Sequence, residues 1–203
     1  MTKTTILILI SILVLFGIGC YIALKPNTPN SMSLNNNGMM SNINGKMNGV
    51  SMMVGMTSMP EMVKDDQSFI EAMIPHHQEA VDSSNQILIS TQDPELKTFV
   101  QNVISAQTKE INEMKTWYKQ WYGKDYTDSS NYQAMMGGMN NKTGSELDQE
   151  YIKGMIQHHA GAIQMAKKIQ TITKRAEVTK LASDIIISQT REQATLMGWM
   201  MSK

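Results

Sequence analysis

The four histidines of the chain fall in two adjacent pairs, His76-His77 and His158-His159, each inside the frame Met-Ile-x-His-His-x-x-Ala. Imidazole is the commonest protein metal ligand. A lone His on an apolar face is ordinarily a satisfied core residue, but here two adjacent His recur in a second copy of one frame and none stands elsewhere. Met73 lies three residues before His76 and four before His77, and Met155 relates identically to His158 and His159. On a helix those spacings place the side chains on one face, within reach of one ion. Thioether with imidazole selects copper, Cu(I) first and Ag(I) by the same softness, over zinc or magnesium. Met114 and Met165 join the candidate metal set as thioethers on neighbouring apolar faces. Adjacent helical positions diverge by about 100°, so one ring of each pair is free to face a partner helix or a second site. Gln107, Glu110, Gln189 and Glu192 are polar residues on otherwise apolar faces. A buried carboxylate needs a partner, and the free N–H of a ligating His would supply one and orient the ring. The alternative is an interhelical hydrogen bond without metal. Pro75, beside the first pair, removes a backbone donor and would kink its helix. Gln157 stands in the matching place of the second frame, so the two sites need not be equivalent.

The elements that position these residues come from an internal repeat. Shifting the chain by 82 residues aligns 66–117 with 148–199 without a gap, and 16 of the 52 positions are identical. The identities include Asp66/Asp148, Met73/Met155, both His pairs, Gln107/Gln189, Glu110/Glu192 and Trp117/Trp199. Each unit reads as two helices. Phe69, Met73, His76, Ala80 and Ile87 recur at helical spacing, as do Leu96, Val100, Val103, Gln107, Glu110, Met114 and Trp117. Asp93-Pro94 is a helix start and Gly123 a helix stop. Ser145-x-x-Asp148 is expected to cap the third helix. The fourth is expected to run from near Thr173 to the C-terminus. The fold class is therefore all-α: a four-helix bundle of two helical hairpins over 63–203, with repeat 1 at 65–123 and repeat 2 at 147–203. The Trp residues are read as core anchors rather than cation–π partners.

Residues 25–62 are rich in Asn, Ser, Gly and Met, carry few charges and hold no period, as a flexible linker does. Met32, Met39, Met40, Met47, Met52, Met53, Met56, Met59 and Met62 nonetheless place nine thioethers there. Met135, Met136 and Met139 form a second cluster, in a Gly/Asn-rich stretch expected to be flexible. Both clusters read as auxiliary soft-ligand tracts. Ahead of them, Ile6 to Leu24 is an uncharged, mostly apolar run of 19 residues, long enough to span a bilayer. Residues 1–24 are read as a membrane anchor, with a cleaved signal or a lipidated form through Cys20 as the alternatives. All three place the folded part outside the cytoplasm.

Lys+Arg and Asp+Glu are both 18, a balance unlike that of a nucleic-acid binder. The single Cys excludes an intramolecular disulfide framework and a Cys-based zinc finger. A carboxylate-bridged di-iron oxidase needs Glu from two helices and Glu-x-x-His from the other two. Met73 and Met155 occupy the acid position of that motif, Glu79 has Gly161 as its counterpart, and Glu110/Glu192 alone supply a repeated mid-helix acid. No nucleophile–base pair and no phosphate loop are present. A binding protein is expected rather than an enzyme. A ferritin-like oxidoreductase acting on Cu(I) or iron, and a metal-free interaction or sensor bundle, are the alternatives.

Asp66-x-x-Phe69-x-x-x-Met73-Ile74-Pro75-His76-His77-x-x-Ala80, with Gln107-x-x-Glu110-x-x-Met114-x-x-Trp117 and Trp121-Tyr122-Gly123, resembles the domain of unknown function 305 family. Met155-Ile156-Gln157-His158-His159 to Trp199 is similar to that family's second half. The resemblance implies a ferritin-like helical bundle, usually exported or membrane-anchored. It also implies copper handling, since relatives of the CopM type bind copper through Met and His. Residue by residue it carries over to Met73, His76, His77, Met155, His158 and His159. Leu196 stands where the first unit has Met114, a departure that sets the two halves apart. The expected partners are metal ions, the membrane, and a copper exporter or other copper protein.

Overall fold

The computed structural model describes residues 59–128 and 132–202. Helix α1 spans Asp66–Ser90, α2 Pro94–Tyr122, α3 Gly144–Gln170 and α4 Ala176–Ser202, with a 3-10 turn at Gly137–Met139 between the hairpins. No strand occurs among the described residues. The ends of the first hairpin follow local chemistry. Asp65 accepts from the Ser68 N–H at 2.7 Å, and Ser68 Oγ accepts from the Asp65 N–H at 2.9 Å, a reciprocal cap for α1. Asp93 Oδ1 accepts from the Glu95 and Leu96 amides at 2.9 and 3.1 Å, with Pro94 at the first helical position of α2. That helix ends at Gly123, in the left-handed region at φ 70°, whose N–H donates to Lys119 O. α1 runs unbroken through Pro75.

The second hairpin departs from expectation at the start of its first helix. α3 begins at Gly144, with Thr143 as an N-cap that makes no side-chain bond, so Ser145 lies inside the first turn and caps nothing. Asp148 Oδ2 instead accepts from Thr91 Oγ1 at 2.9 Å, which ties α3 to the α1–α2 turn. α4 starts at Ala176, just beyond Thr173, whose Oγ1 accepts from the Arg175 amide at 3.1 Å.

Consecutive helices pair as α1·α2 and α3·α4, and the hairpins join through α1 against α3. The core has two halves. One gathers Phe69, Met73, Met114, Met165, Ile169 and Ile185; the other gathers Ile87, Leu96, Tyr151, Met155 and Leu196. The first half takes the start of α1 with the end of α3, and the second takes the reverse, so these helices run antiparallel and cross near their middles. Each fully buried Leu, Ile, Phe or Met side chain contributes about 1.5–3 kcal/mol by leaving water. The crossing point is where both His pairs stand.

Three segments correct the sequence expectations. The linker does not extend through residue 62: residues 59–62 form a helical turn, and Met59 and Val63, four apart, are buried in the first core half. The cluster Met135, Met136 and Met139 is not a loose tract but is buried against the bundle. The Glu79 carboxylate holds it there by accepting from the Met135 and Met136 amides at 2.7 and 2.8 Å. Trp121 also stands apart from the core-anchor reading, because the Arg175 guanidinium lies over its ring at 4.0 Å while Arg175 Nε pairs with Asp66 at 3.2 Å. The apolar segment 1–24, with Cys20, and Met32, Met39, Met40, Met47, Met52, Met53 and Met56 lie outside the described residues. Among the described residues no helix is long and apolar enough to cross a membrane.

Candidate metal centre

The helical turn angle divides each His pair between two neighbours. His77 turns toward α2 within its own hairpin, and its Nε2 lies 2.7 Å from Glu110 Oε2. His159 does the same toward α4, with Nε2 2.6 Å from Glu192 Oε2. His76 and His158 turn the other way, toward each other across the α1–α3 crossing, with ring centroids 3.7 Å apart. The rings thus form a row, His77–His76–His158–His159, with successive centroids at 6.2, 3.7 and 6.3 Å. All four are fully buried.

Most nitrogens in this row lack a protein partner. Nδ1 and Nε2 of both His76 and His158, and Nδ1 of His77 and His159, are buried without a hydrogen bond. His158 Nε2 stands 3.5 Å from Glu79 Oε2, within ion-pair range but too long for a good hydrogen bond. An ionised carboxylate can only accept, so in the neutral tautomer that donates to Glu110 or Glu192 from Nε2, His77 and His159 present a lone pair at Nδ1. An acid fixing one nitrogen so that the other presents its lone pair is how proteins orient metal-binding imidazoles. Burial, together with the other three rings, pushes the His76 pKa well below the usual histidine value. Burial also lowers His158, against the opposing pull of Glu79. Both rings are therefore neutral at pH 7, the state a metal requires.

Glu79 is the residue that sequence reasoning undervalued. It is only slightly exposed, and it accepts from Tyr132 Oη and from two amides of the Met135–Met136 segment while lying beside His158. Burial pushes its carboxyl up, but the His158 ring, the Tyr132 hydroxyl and the Met136 amide outweigh it and hold the pKa below its ordinary value. Burial and the Glu79 charge drive the Tyr132 pKa upward. Tyr132 packs edge-on to His76 at 5.9 Å between centroids. No helical period connects Tyr132 to the frames, so no pattern in the sequence could have found it. The Glu79/Gly161 mismatch between the copies was the available signal for Glu79.

The sulfurs are distributed unevenly. A Cβ placed on Gly161 would lie 2.6 Å from Met59 Sδ and 3.1 Å from His76 Nε2, so both side chains border the bare glycine. Met73 and Met155 are fully buried but fall in separate halves of the core. Met114 and Met165 lie with Met73, and Met136 and Met139 with Met155. Gln107 and Gln189 are buried with Oε1 unpartnered. Among the described residues no three His, Cys, Asp or Glu converge as a ready cation site.

A family model described as a domain of unknown function (DUF305) matches residues 26–117 and 66–200. The chain belongs to the DUF305 family. Among solved structures it is similar to CopM in the Cu(II)-bound form, at 38% identity and TM-score 0.63, over 70% of this chain and 99% of that one. CopM in the Cu(I)-bound form matches at 40% identity and TM-score 0.63, over 68% and 96% of the two chains. CopM in an Ag-bound form matches at 39% identity and TM-score 0.63, over 70% and 98%. An uncharacterized protein, L153 of Acanthamoeba polyphaga mimivirus, is 40% identical over 52 residues, or 26% of this chain. The matched stretch is about a third of that curated relative's length.

Proposed function

We propose that this DUF305 protein binds soft monovalent copper, and Ag(I) by the same chemistry, at the buried histidine row, and serves copper sequestration, resistance or trafficking rather than catalysis. The observation that carries this reading is the set of unpartnered imidazole nitrogens packed at one helix crossing. An unsatisfied buried polar group costs about 1–3 kcal/mol, so a row of them is tolerated where a ligand completes it. Thioether sulfur is the soft donor that would complete the imidazole set, and sulfur with imidazole selects Cu(I). The copper- and silver-bound structures of CopM, which this chain resembles over most of its folded part, support the same metal class. His76 and His158 would supply the central nitrogens, His77 and His159 their Nδ1 lone pairs, and Met73 and Met155 are the family-matched thioethers. The apolar run Ile6 to Leu24 would tether the bundle outside the cytoplasm, where the Met-rich segment 25–58 would gather metal and pass it to or from a copper exporter or another copper protein.

The test is a Cu(I) competition titration of the full chain against a variant with all four His changed to Leu, done anaerobically. The variant is expected to lose copper equivalents and affinity. Unchanged stoichiometry and affinity would remove the histidine row from the account.

A further inference from the structure

The described methionines fall into two classes. Met59 and those of α1, α2, α3 and the segment 135–139 are buried, whereas Met62, Met197, Met200 and Met201 are exposed. Three of the four exposed ones stand together in the last turns of α4, at 48%, 54% and 84% exposure for Met197, Met200 and Met201. The core sets their phase. Leu196 is fully buried, and Trp199 packs edge-on to Phe99 with centroids 5.5 Å apart. At 3.6 residues per turn, Met197, Met200 and Met201 then share an arc of about 100° beside the core-facing side. Their spacing of i, i+3 and i+4 makes them neighbours on the helix surface. The repeat shows that packing does not demand sulfur there. The same 82-residue shift sets them against Lys115, Tyr118 and Lys119 of α2, where two of the three positions carry solvated lysines.

We infer that Met197, Met200 and Met201 form a solvent-facing site of three thioethers that takes one Cu(I) or Ag(I) ion. The site is separate from the histidine row. Met200 lies eight residues beyond Glu192 on α4, about 12 Å along the helix at 1.5 Å per residue. It shares the metal class of the proposed function but does not depend on the row. Methionine is unbranched, with three rotatable bonds and a polarizable sulfur, so the three side chains of one helix face can turn onto a single ion. No His, Asp or Glu lies between Gln193 and Ser202, so hard donors are absent from this stretch of the helix. A set of thioethers alone selects soft monovalent ions over Cu(II) or Zn(II). Imidazole must lose a proton to bind metal, whereas a thioether has none to lose, so this site keeps its affinity in mild acid. Its exposure suits it to capture and release at the surface rather than to storage.

The experiment uses the full chain labelled with 13C at the methionine methyl groups, each signal assigned by a single Met→Leu change, with Ag(I) added at pH 5 and pH 7.5. The methyl signals of Met197, Met200 and Met201 are expected to shift together with one midpoint, at both pH values. The same response is expected in protein whose four His are changed to Leu, and Zn(II) should leave all three signals unmoved. Each of Met197→Leu, Met200→Leu and Met201→Leu should weaken Ag(I) binding at the other two sulfurs at least about tenfold, the scale on which even groups supporting a metal's ligands act. Leu conserves the volume and removes only the sulfur, and the positions are exposed, so a melting temperature within a few degrees of wild type is expected for each variant. Three methyl signals that stay still under Ag(I), or that move with separate midpoints indifferent to one another's substitution, overturn the site. A response lost when the four His are replaced also overturns it. Imidazoles that stay silent while the three methyl groups respond would overturn the proposed function and leave this site standing.

Discussion

Replacing His76 by Leu is expected to stabilise the metal-free protein. His76 is fully buried, and neither ring nitrogen has a hydrogen-bond partner. An unsatisfied buried polar group costs about 1–3 kcal/mol, and an apolar side chain of similar size removes that penalty. Leu is close in volume, and repacking of a near-isosteric change stays below about 1.5 kcal/mol. The net gain is therefore about 1–2 kcal/mol, or roughly 2–8 °C in melting temperature for a domain of this size. The pH dependence should change with it. Burial holds the folded ring neutral, with its pKa well below the usual value near 6.5, whereas the unfolded chain titrates normally. Below about pH 6.5 the unfolded state takes up a proton that the folded state refuses, so wild-type stability falls as pH drops through that value. His158, also held low by burial, adds to the same loss. Urea denaturation of metal-free wild type, His76→Leu and His76→Leu/His158→Leu at pH 5.5 and 7.5 measures both effects. The double variant should be the most stable at either pH and the least pH-sensitive. Added Ag(I) should stabilise wild type far more than either variant, since a ligand of the native state raises its stability by mass action. A metal-free His76→Leu protein less stable than wild type by more than 1 kcal/mol would refute the reasoning, because it would mean that the ring is a satisfied core residue.

Other outcomes follow from the same geometry. Glu110→Gln and Glu192→Gln should each lower Cu(I) affinity about 10–100-fold by freeing the ring of His77 or His159, as read by competition titration. Tyr132→Phe removes a hydrogen bond to Glu79 and should raise the amide exchange rate of Met135 and Met136 while the α1 and α3 amides keep their protection. Gly123→Ala places a side chain at φ 70° and should destabilise by about 1 kcal/mol without altering metal binding, checked by thermal melting and titration together.

The bundle was legible because its signals are periodic. The apolar spacing through Phe69, Met73, Ala80 and Ile87 set α1, and Asp93-Pro94 and Gly123 marked the ends of α2 where the caps are found. Glu110 and Glu192 stood out as polar residues on apolar faces, and each meets a histidine of its own hairpin. Ser145 misled because a Ser-x-x-acid pattern describes a cap only when the chain turns there, and here the turn falls at Thr143. The burial of Met135, Met136 and Met139 was invisible for a different reason. A Gly/Asn-rich segment has no period of its own, and what fixes it is a carboxylate 56 residues away in sequence. Met59 was hidden in the same way, since its seat depends on Gly161 being bare. Local patterns reveal elements; the long-range exchange of a backbone amide or a sulfur for a missing side chain does not show in them.

With only four histidines in the chain, 15N NMR of the full-length protein labelled at histidine resolves the whole row at once. On addition of Ag(I) as a redox-inert stand-in for Cu(I), the ring nitrogens of His76 and His158 should shift most, with smaller changes at Nδ1 of His77 and His159. Uptake of Ag(I) with all four imidazoles unmoved would contradict a metal centre at the helix crossing.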